Sequence, residues 1–278
     1  MTPVQADGMG FKQIIEGLHD PELGKKLVEH IHSELDDSFC FMEVCGTHTV
    51  SIFQSGLHSL LPSGIKHLSG PGCPVCVTHE QEVAAFLNLA EEDKVIIATF
   101  GDLMRVPGPR GKSLKAAKAG GARVEVIYSP FDALALARQN PEQKVIFLAV
   151  GFETTAPAVA AAVKVAAKED LANFFILCMH KLVPPALKAL LDDEQNCIDA
   201  FLLPGHVSSV IGVEPYKFLA ADYGINSCIA GFEPLDILQA LLFLLRQKKK
   251  SVPEVINQYN RAVKDEGNLN AVQTMYEV

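Results

Sequence analysis

Three cysteines in two short phrases carry most of the chemistry this sequence can offer. Cys45 stands in Cys45-Gly46-Thr47-His48-Thr49, and Cys73 and Cys76 stand in Gly70-Pro71-Gly72-Cys73-Pro74-Val75-Cys76. Cys-x-x-Cys spacing at the start of a helix tunes thiols for exchange and two-electron redox chemistry. The same spacing also supplies half of a zinc site, which needs two more ligands. No second Cys-x-x-Cys exists, so those ligands would come from Cys45, His48, His79 or His206. The plain alternative is that the cysteines are small buried hydrophobes. Around Cys45 a strand ends, Gly46 permits a sharp turn, and Thr47 or Thr49 is placed to cap the next helix. The positive end of that helix favours thiolate. His48, three residues on, suits a ligand or a proton carrier. The plain reading there is a buried cysteine and a cap-bonded histidine.

Other polar residues fall in similar turns. Glu153 and Glu233 each end a Gly-Phe-Glu triplet that follows an apolar run, and His206 lies in Pro204-Gly205-His206-Val207. A glutamate so placed serves as a proton donor, an arginine partner or a helix-terminus acceptor. The loop 101–113 carries Asp102, Arg105, Arg110 and Lys112 among glycines and prolines. It suits an anion, a partner or plain solvation. It is not a phosphate-binding loop, because Val106 stands where that pattern needs glycine. His79 reads as a helix-start residue. The remaining cysteines, Cys40, Cys178, Cys197 and Cys228, lie in or beside apolar runs and read as core.

Strand and helix patterns alternate from about residue 40, and this alternation must position those turns. Apolar, β-branched runs predict strands at 40–44, 65–68, 94–100, 123–128, 144–150, 173–179, 199–204 and 226–231. Their continuous hydrophobicity suits parallel strands covered on both faces. Helical spacing marks 155–169, 184–194 and 233–247. Leu18, Leu23 and Leu27 suggest an N-terminal helix, and the tail after 250 begins another. The expected class is α/β, with two similar parallel-sheet, Rossmann-like lobes facing a cleft and helices at either end. The expected divisions are a helical segment at 1–39, lobes at 40–130 and 131–250, and a C-terminal portion starting at 251. The unusual residues follow strand ends, where open parallel sheets bind ligands.

The bulk numbers narrow the function. The chain has 278 residues, 49% of them hydrophobic, enough for a substantial core. A net charge of -9 argues against nucleic-acid binding. The longest apolar tract, 156–163, is too short to span a bilayer. The N-terminus has no signal-peptide pattern, which implies a cytoplasmic protein. Seven cysteines without an export signal favour metal or thiol chemistry over a disulfide scaffold.

Seven phrases in order, MEVCGTHT, SGPGCPVCV, TFGDLMRVPG, YSPFDAL, VGFETTAP, LPGHVSSVIG and GFEPLDIL, resemble the HypD family of hydrogenase maturation proteins across residues 42–238. The resemblance implies two α/β lobes around a cleft and a role in building the Fe(CN)2CO unit of [NiFe]-hydrogenase. It implies a HypC-type chaperone that shares the iron and a HypE-type cyanide donor, with the hydrogenase large subunit served indirectly. By resemblance Cys45 would hold iron with His48 nearby, and Cys73 and Cys76 would be the redox pair. Glu153, Glu233 and His206 would join the catalytic set, and Thr47, Thr49, Gly70, Gly72 and Asp102 the binding set. The family also implies a C-terminal [4Fe–4S] portion. No cysteine of this chain lies beyond Cys228, so the chain reads as stopping before that portion. Val50 and His79 depart from residues that the family often has at those places. A general thiol–disulfide oxidoreductase and a zinc-binding interaction module are the competing readings. The oxidoreductase needs only the pair and leaves CGTHT, PGHV and the two Gly-Phe-Glu turns unexplained, and a zinc module needs four converging ligands.

Overall fold

The computed structural model describes residues 20–193, 197–250 and 252–278. Strands run β1 Phe39–Glu43, β2 Ile65–Ser69, β3 Val95–Thr99, β4 Val124–Val126, β5 Lys144–Ala149, β6 Phe174–Cys178, β7 Ala200–Pro204, β8 Asn226–Ala230 and β9 Val255–Asn257. All eight expected strands are present. The ninth falls in the tail, where a helix is expected; that tail instead forms β9 and then the helix Leu269–Tyr276. Three residues of strand give too short a pattern to read, and pairing with β8 is what holds them extended.

Two parallel sheets result, in the order β2-β1-β7-β8-β9 and β4-β3-β5-β6. The fold is therefore α/β with two Rossmann-like sheets flanked by helices. The sheets are not built from consecutive halves of the chain, as the 40–130 and 131–250 divisions assume. One unit comprises 1–72 with 187–267, and the other 73–186 with 268–278. The reason is a pairing choice. β1 takes β2 on one side and β7 on the other, with Phe41 opposite Ala200 and Glu43 opposite Leu202. Periodicity identifies a strand but not its neighbour, so this interleaving left no local mark.

In the first unit, β1, β7 and β8 bury Phe39, Phe41, Leu202 and Ala230 against the helix Pro234–Lys248. That helix alternates buried Ile237, Leu241, Leu244 and Leu245 at helical spacing, each burial worth about 1.5–3 kcal/mol. The helix Pro21–Glu34 packs on the same cluster through Leu27 and Ile31. Leu23 is left exposed, and Leu18 lies outside the described residues. Asp20 caps this helix by accepting from the Glu22 and Leu23 amides. In the second unit, β3 and β5 are apolar on both faces. One face meets the helix Glu80–Ala90, the other the helices Pro130–Gln139 and Ala156–Lys168. No helix among the described residues is long and apolar enough to cross a membrane.

Candidate functional site

Glu43 is the last residue of β1 and is fully buried. Its carboxylate accepts from the Cys45 amide at 2.8 Å and from the Thr49 hydroxyl. His67 Nε2 on the neighbouring strand stands 3.7 Å from the same carboxylate, and its ring stacks on Phe41 at 5.0 Å. Burial alone would raise the Glu43 pKa. The nearby His67 and the bonds from Thr49 and the Cys45 amide outweigh that and hold it below the ordinary value. A buried anion thus clamps the turn that carries Cys45. Glu43 and His67 were not among the expected site residues. A charged residue inside an apolar strand was the available signal.

Cys45 itself is the N-cap residue of the helix Gly46–Gln54, and it is partly exposed. The helix begins at Gly46, ahead of both threonines, so neither caps it. Thr47 lies exposed in its first turn, while Thr49 turns to Glu43 instead of capping.

His48 is completely buried on that helix. Its Nε2 lies 2.9 Å from the Gly231 carbonyl, which can only accept, so Nε2 carries the proton. Nδ1 is then a buried acceptor with no partner. Burial lowers the His48 pKa, keeping the ring neutral. The ring leans on Phe232 at 4.8 Å, and exposed His206 also stacks on Phe232, at 4.1 Å. His48, His206 and Phe232 follow β1, β7 and β8, three adjacent strands, so the sheet order brings them together.

Glu233 does not join this stack through its carboxylate. It is the N-cap of the Pro234–Lys248 helix, and Asp236 accepts its amide at 3.4 Å. Asp236 is buried and paired to Arg261, whose guanidinium lies 4.5 Å over Tyr259. Glu233 therefore takes the helix-terminus role. Glu153 belongs to the other unit, buried after β5, where Oε1 accepts from the Val183 amide at 2.8 Å and Oε2 has no partner. Burial raises its pKa. Asp102 is exposed at the start of a short 3-10 turn and accepts from its neighbour Leu103, so this structure gives it a local turn contact.

Gly70 and Gly72 act through closeness. A Cβ on Gly70 would meet the Glu43 carbonyl at 2.8 Å, and one on Gly72 would lie 2.7 Å from the Cys45 carbonyl carbon. The Gly72 carbonyl accepts from the Gly46 amide at 3.4 Å. Cys73 is the next residue along the chain. Cys73 and Cys76 are joined by a disulfide with Cα atoms 5.2 Å apart. Cys76 is exposed. The pair occupies a turn, not the helix start its spacing suggests. The helix begins at Glu80 with His79 as its cap, in the expected role for that histidine. Cys40 and Cys228 are buried as expected, and burial pushes the Cys228 thiol up to about 12. Cys178 and Cys197 are exposed, contrary to the core reading. Cys178 ends an edge strand and Cys197 precedes β7, so neither is covered by a second layer.

No group of three or more histidine, cysteine, aspartate or glutamate side chains among the described residues is arranged to hold a metal ion. With two cysteines in a disulfide and two buried, the chain's thiols do not fit a four-cysteine iron–sulfur cluster.

Fold and site together define a parallel α/β protein with thiols and a buried carboxylate at the carboxyl ends of its strands. The HypD family model, described as the hydrogenase formation hypA family, matches residues 22–278. The hydrogenase maturation factor HypD of Rhodobacter capsulatus is 47% identical over 268 residues, covering 93% of this chain and 71% of the relative. HypD of Escherichia coli K12 is 44% identical over 273 residues, covering 96% and 73%. That of Cupriavidus necator H16 is 42% identical over 272 residues, covering 95% and 72%. The chain belongs to the HypD family of hydrogenase maturation factors.

Proposed function

We propose that this chain is a scaffold on which the Fe(CN)2CO unit of [NiFe]-hydrogenase is assembled, together with HypC- and HypE-type partners. The carrying observation is the clamped position of Cys45, a partly exposed thiol on a helix N-terminus whose turn is fixed by buried Glu43. Iron arrives as substrate. Thiolate is a soft, strong donor suited to low-spin iron bearing cyanide and carbon monoxide. One thiolate cannot complete the coordination, so the HypC-type partner supplies further ligands. His48 is held neutral and serves as a positioning or proton-accepting group beneath the helix. Cys73 and Cys76 interconvert between disulfide and dithiol by exchange with an external dithiol, which becomes a disulfide as the pair gains its two electrons and two protons.

The test is co-purification with the HypC-type partner, followed by infrared spectroscopy of iron-bound cyanide and carbon monoxide. Cys45→Ala is expected to abolish those bands. Full iron loading in that variant would remove Cys45 from the role. A second reading draws on the disulfide with its exposed Cys76 sulfur: the chain is a general thiol–disulfide oxidoreductase. That reading requires the chain alone to turn over model disulfides, with loss in Cys73→Ala and none in Cys45→Ala.

A further inference from the structure

The second unit holds another thiol, used by nothing above. Cys178 is the last residue of β6, exposed, and paired in register with Ala149 of β5. The two chains continue side by side past the sheet. The Met179 amide donates to Ala149 at 2.9 Å and the Lys181 amide to Gly151 at 3.0 Å. His180 is held between those two bonds. Its Nδ1 lies 3.8 Å from Cys178 Sγ, and its Nε2 lies 3.2 Å from the Thr155 hydroxyl oxygen.

We assign the His180 tautomer from the Thr155 bonds. The Thr155 hydroxyl has one proton, and it donates that proton to the Phe152 carbonyl at 3.2 Å. The hydroxyl therefore accepts from His180, and Nε2 carries the imidazole hydrogen. Nδ1 is left as a lone pair facing the Cys178 sulfur. Thr155 is free for this because, though it is the N-cap of the Ala156–Lys168 helix, its side chain makes no cap bond. Gly151 makes the arrangement fit, since any Cβ there would overlap the Thr155 hydroxyl. The nearby cation Lys181 is occupied by Glu82 at 2.7 Å. Burial lowers the His180 pKa, so the ring is neutral and able to take a proton.

We propose that Cys178, His180 and Thr155 form a nucleophilic thiol site that takes low-molecular-weight disulfides into mixed-disulfide linkage. His180 Nδ1 accepts the thiol proton as Sγ attacks one sulfur of RS–SR. The S–S bond of the reagent breaks and the Cys178–S–SR bond forms. The departing RS⁻ takes the proton from His180 and leaves as RSH. Thr155 is a positioning residue that fixes the imidazole. The arrangement follows the general logic of a nucleophile, its base and an orienting third group.

The experiment treats the purified chain, oxidised at Cys73–Cys76, with glutathione disulfide and maps adducts by peptide mass spectrometry over time. Cys197, the other exposed free cysteine, serves as the internal reference. Cys178 is expected to acquire the adduct about tenfold faster than Cys197. His180→Gln is expected to remove that advantage, and Thr155→Val to reduce it severalfold while leaving the Cys197 rate unchanged. Equal rates at Cys178 and Cys197 in the unaltered chain would overturn the proposal, whatever the fate of the variants. So would an unchanged Cys178 rate in a folded His180→Gln protein.

Discussion

The two Gly-Phe-Glu turns carry the same three residues and end in opposite environments. At 151–153 the glutamate is buried, accepts the Val183 amide and has a raised pKa. At 231–233 the glutamate caps a helix, and it is the phenylalanine that contacts two imidazoles. The difference comes from the residues that follow. Pro234 starts the helix at once, so Glu233 is forced to be the cap. After Glu153 come two threonines before Ala156, and the chain makes a turn in which the Thr155 amide bonds the Phe152 carbonyl at 3.0 Å. That extra turn carries Glu153 inward. A short motif therefore fixes neither burial nor role; the position of the next helix does.

Truncating the two glutamates is the strongest way to break this comparison. Glu153→Ala leaves the buried Val183 amide without its acceptor and opens a void. It is expected to cost about 2–3 kcal/mol in denaturant unfolding. An effect below that of Glu233→Ala would mean the inward turn contributes nothing.

The pH dependence sharpens the contrast by setting Glu153 against Glu43. Glu153 has a folded pKa above its unfolded value, so the native state binds the proton more tightly. Its contribution to stability falls as pH rises from the ordinary carboxylate value to the folded one. Glu43 has a folded pKa below its unfolded value. Its contribution is fully present above the ordinary carboxylate value and is lost as pH falls through the folded one. Within its window each group alters stability by up to about 1.4 kcal/mol per pH unit. Unfolding curves of Glu153→Gln and Glu43→Gln across pH should remove slopes of opposite sign. Slopes of the same sign would contradict the two environments.

Smaller effects are expected at the second turn. Phe232→Leu keeps an apolar side chain but removes the ring that contacts both His48 and His206, for a loss of about 1 kcal/mol in denaturant unfolding. An unchanged unfolding midpoint would deny the ring contacts any contribution. Glu233→Ala is expected to cost about 0.5 kcal/mol, the low end for a helix cap, because Asp236 still accepts from the backbone amide at position 233.

The strands before and after these turns were readable because burial on both faces demands unbroken apolar runs, as in Val95–Thr99 and Ala200–Pro204. Their capping residues were partly readable. His79 was, since it stands immediately before a helical pattern. The Cys73–Cys76 turn was misplaced, because Pro74 suits a turn as well as a first helical position. Glu43 left only the trace of a charge inside an apolar strand, and the role of His180 left none. Each acts through a partner distant along the chain or across a strand pair, and neither lies in a recognisable spacing.

Residue order by itself determined that this is a parallel α/β protein with its unusual residues at strand ends, and it placed a lone thiol in one turn and a pair of thiols in another. Those facts depend on local hydrophobic period and turn chemistry, which need no partner. Tertiary structure alone decided that β1 pairs with β7, and so which turns share an edge. It also decided that Glu43 is a buried anion, that His48 is neutral, and that Cys178 faces an imidazole. Strand pairing and burial are set by total packing, and no stretch of a few residues contains that information.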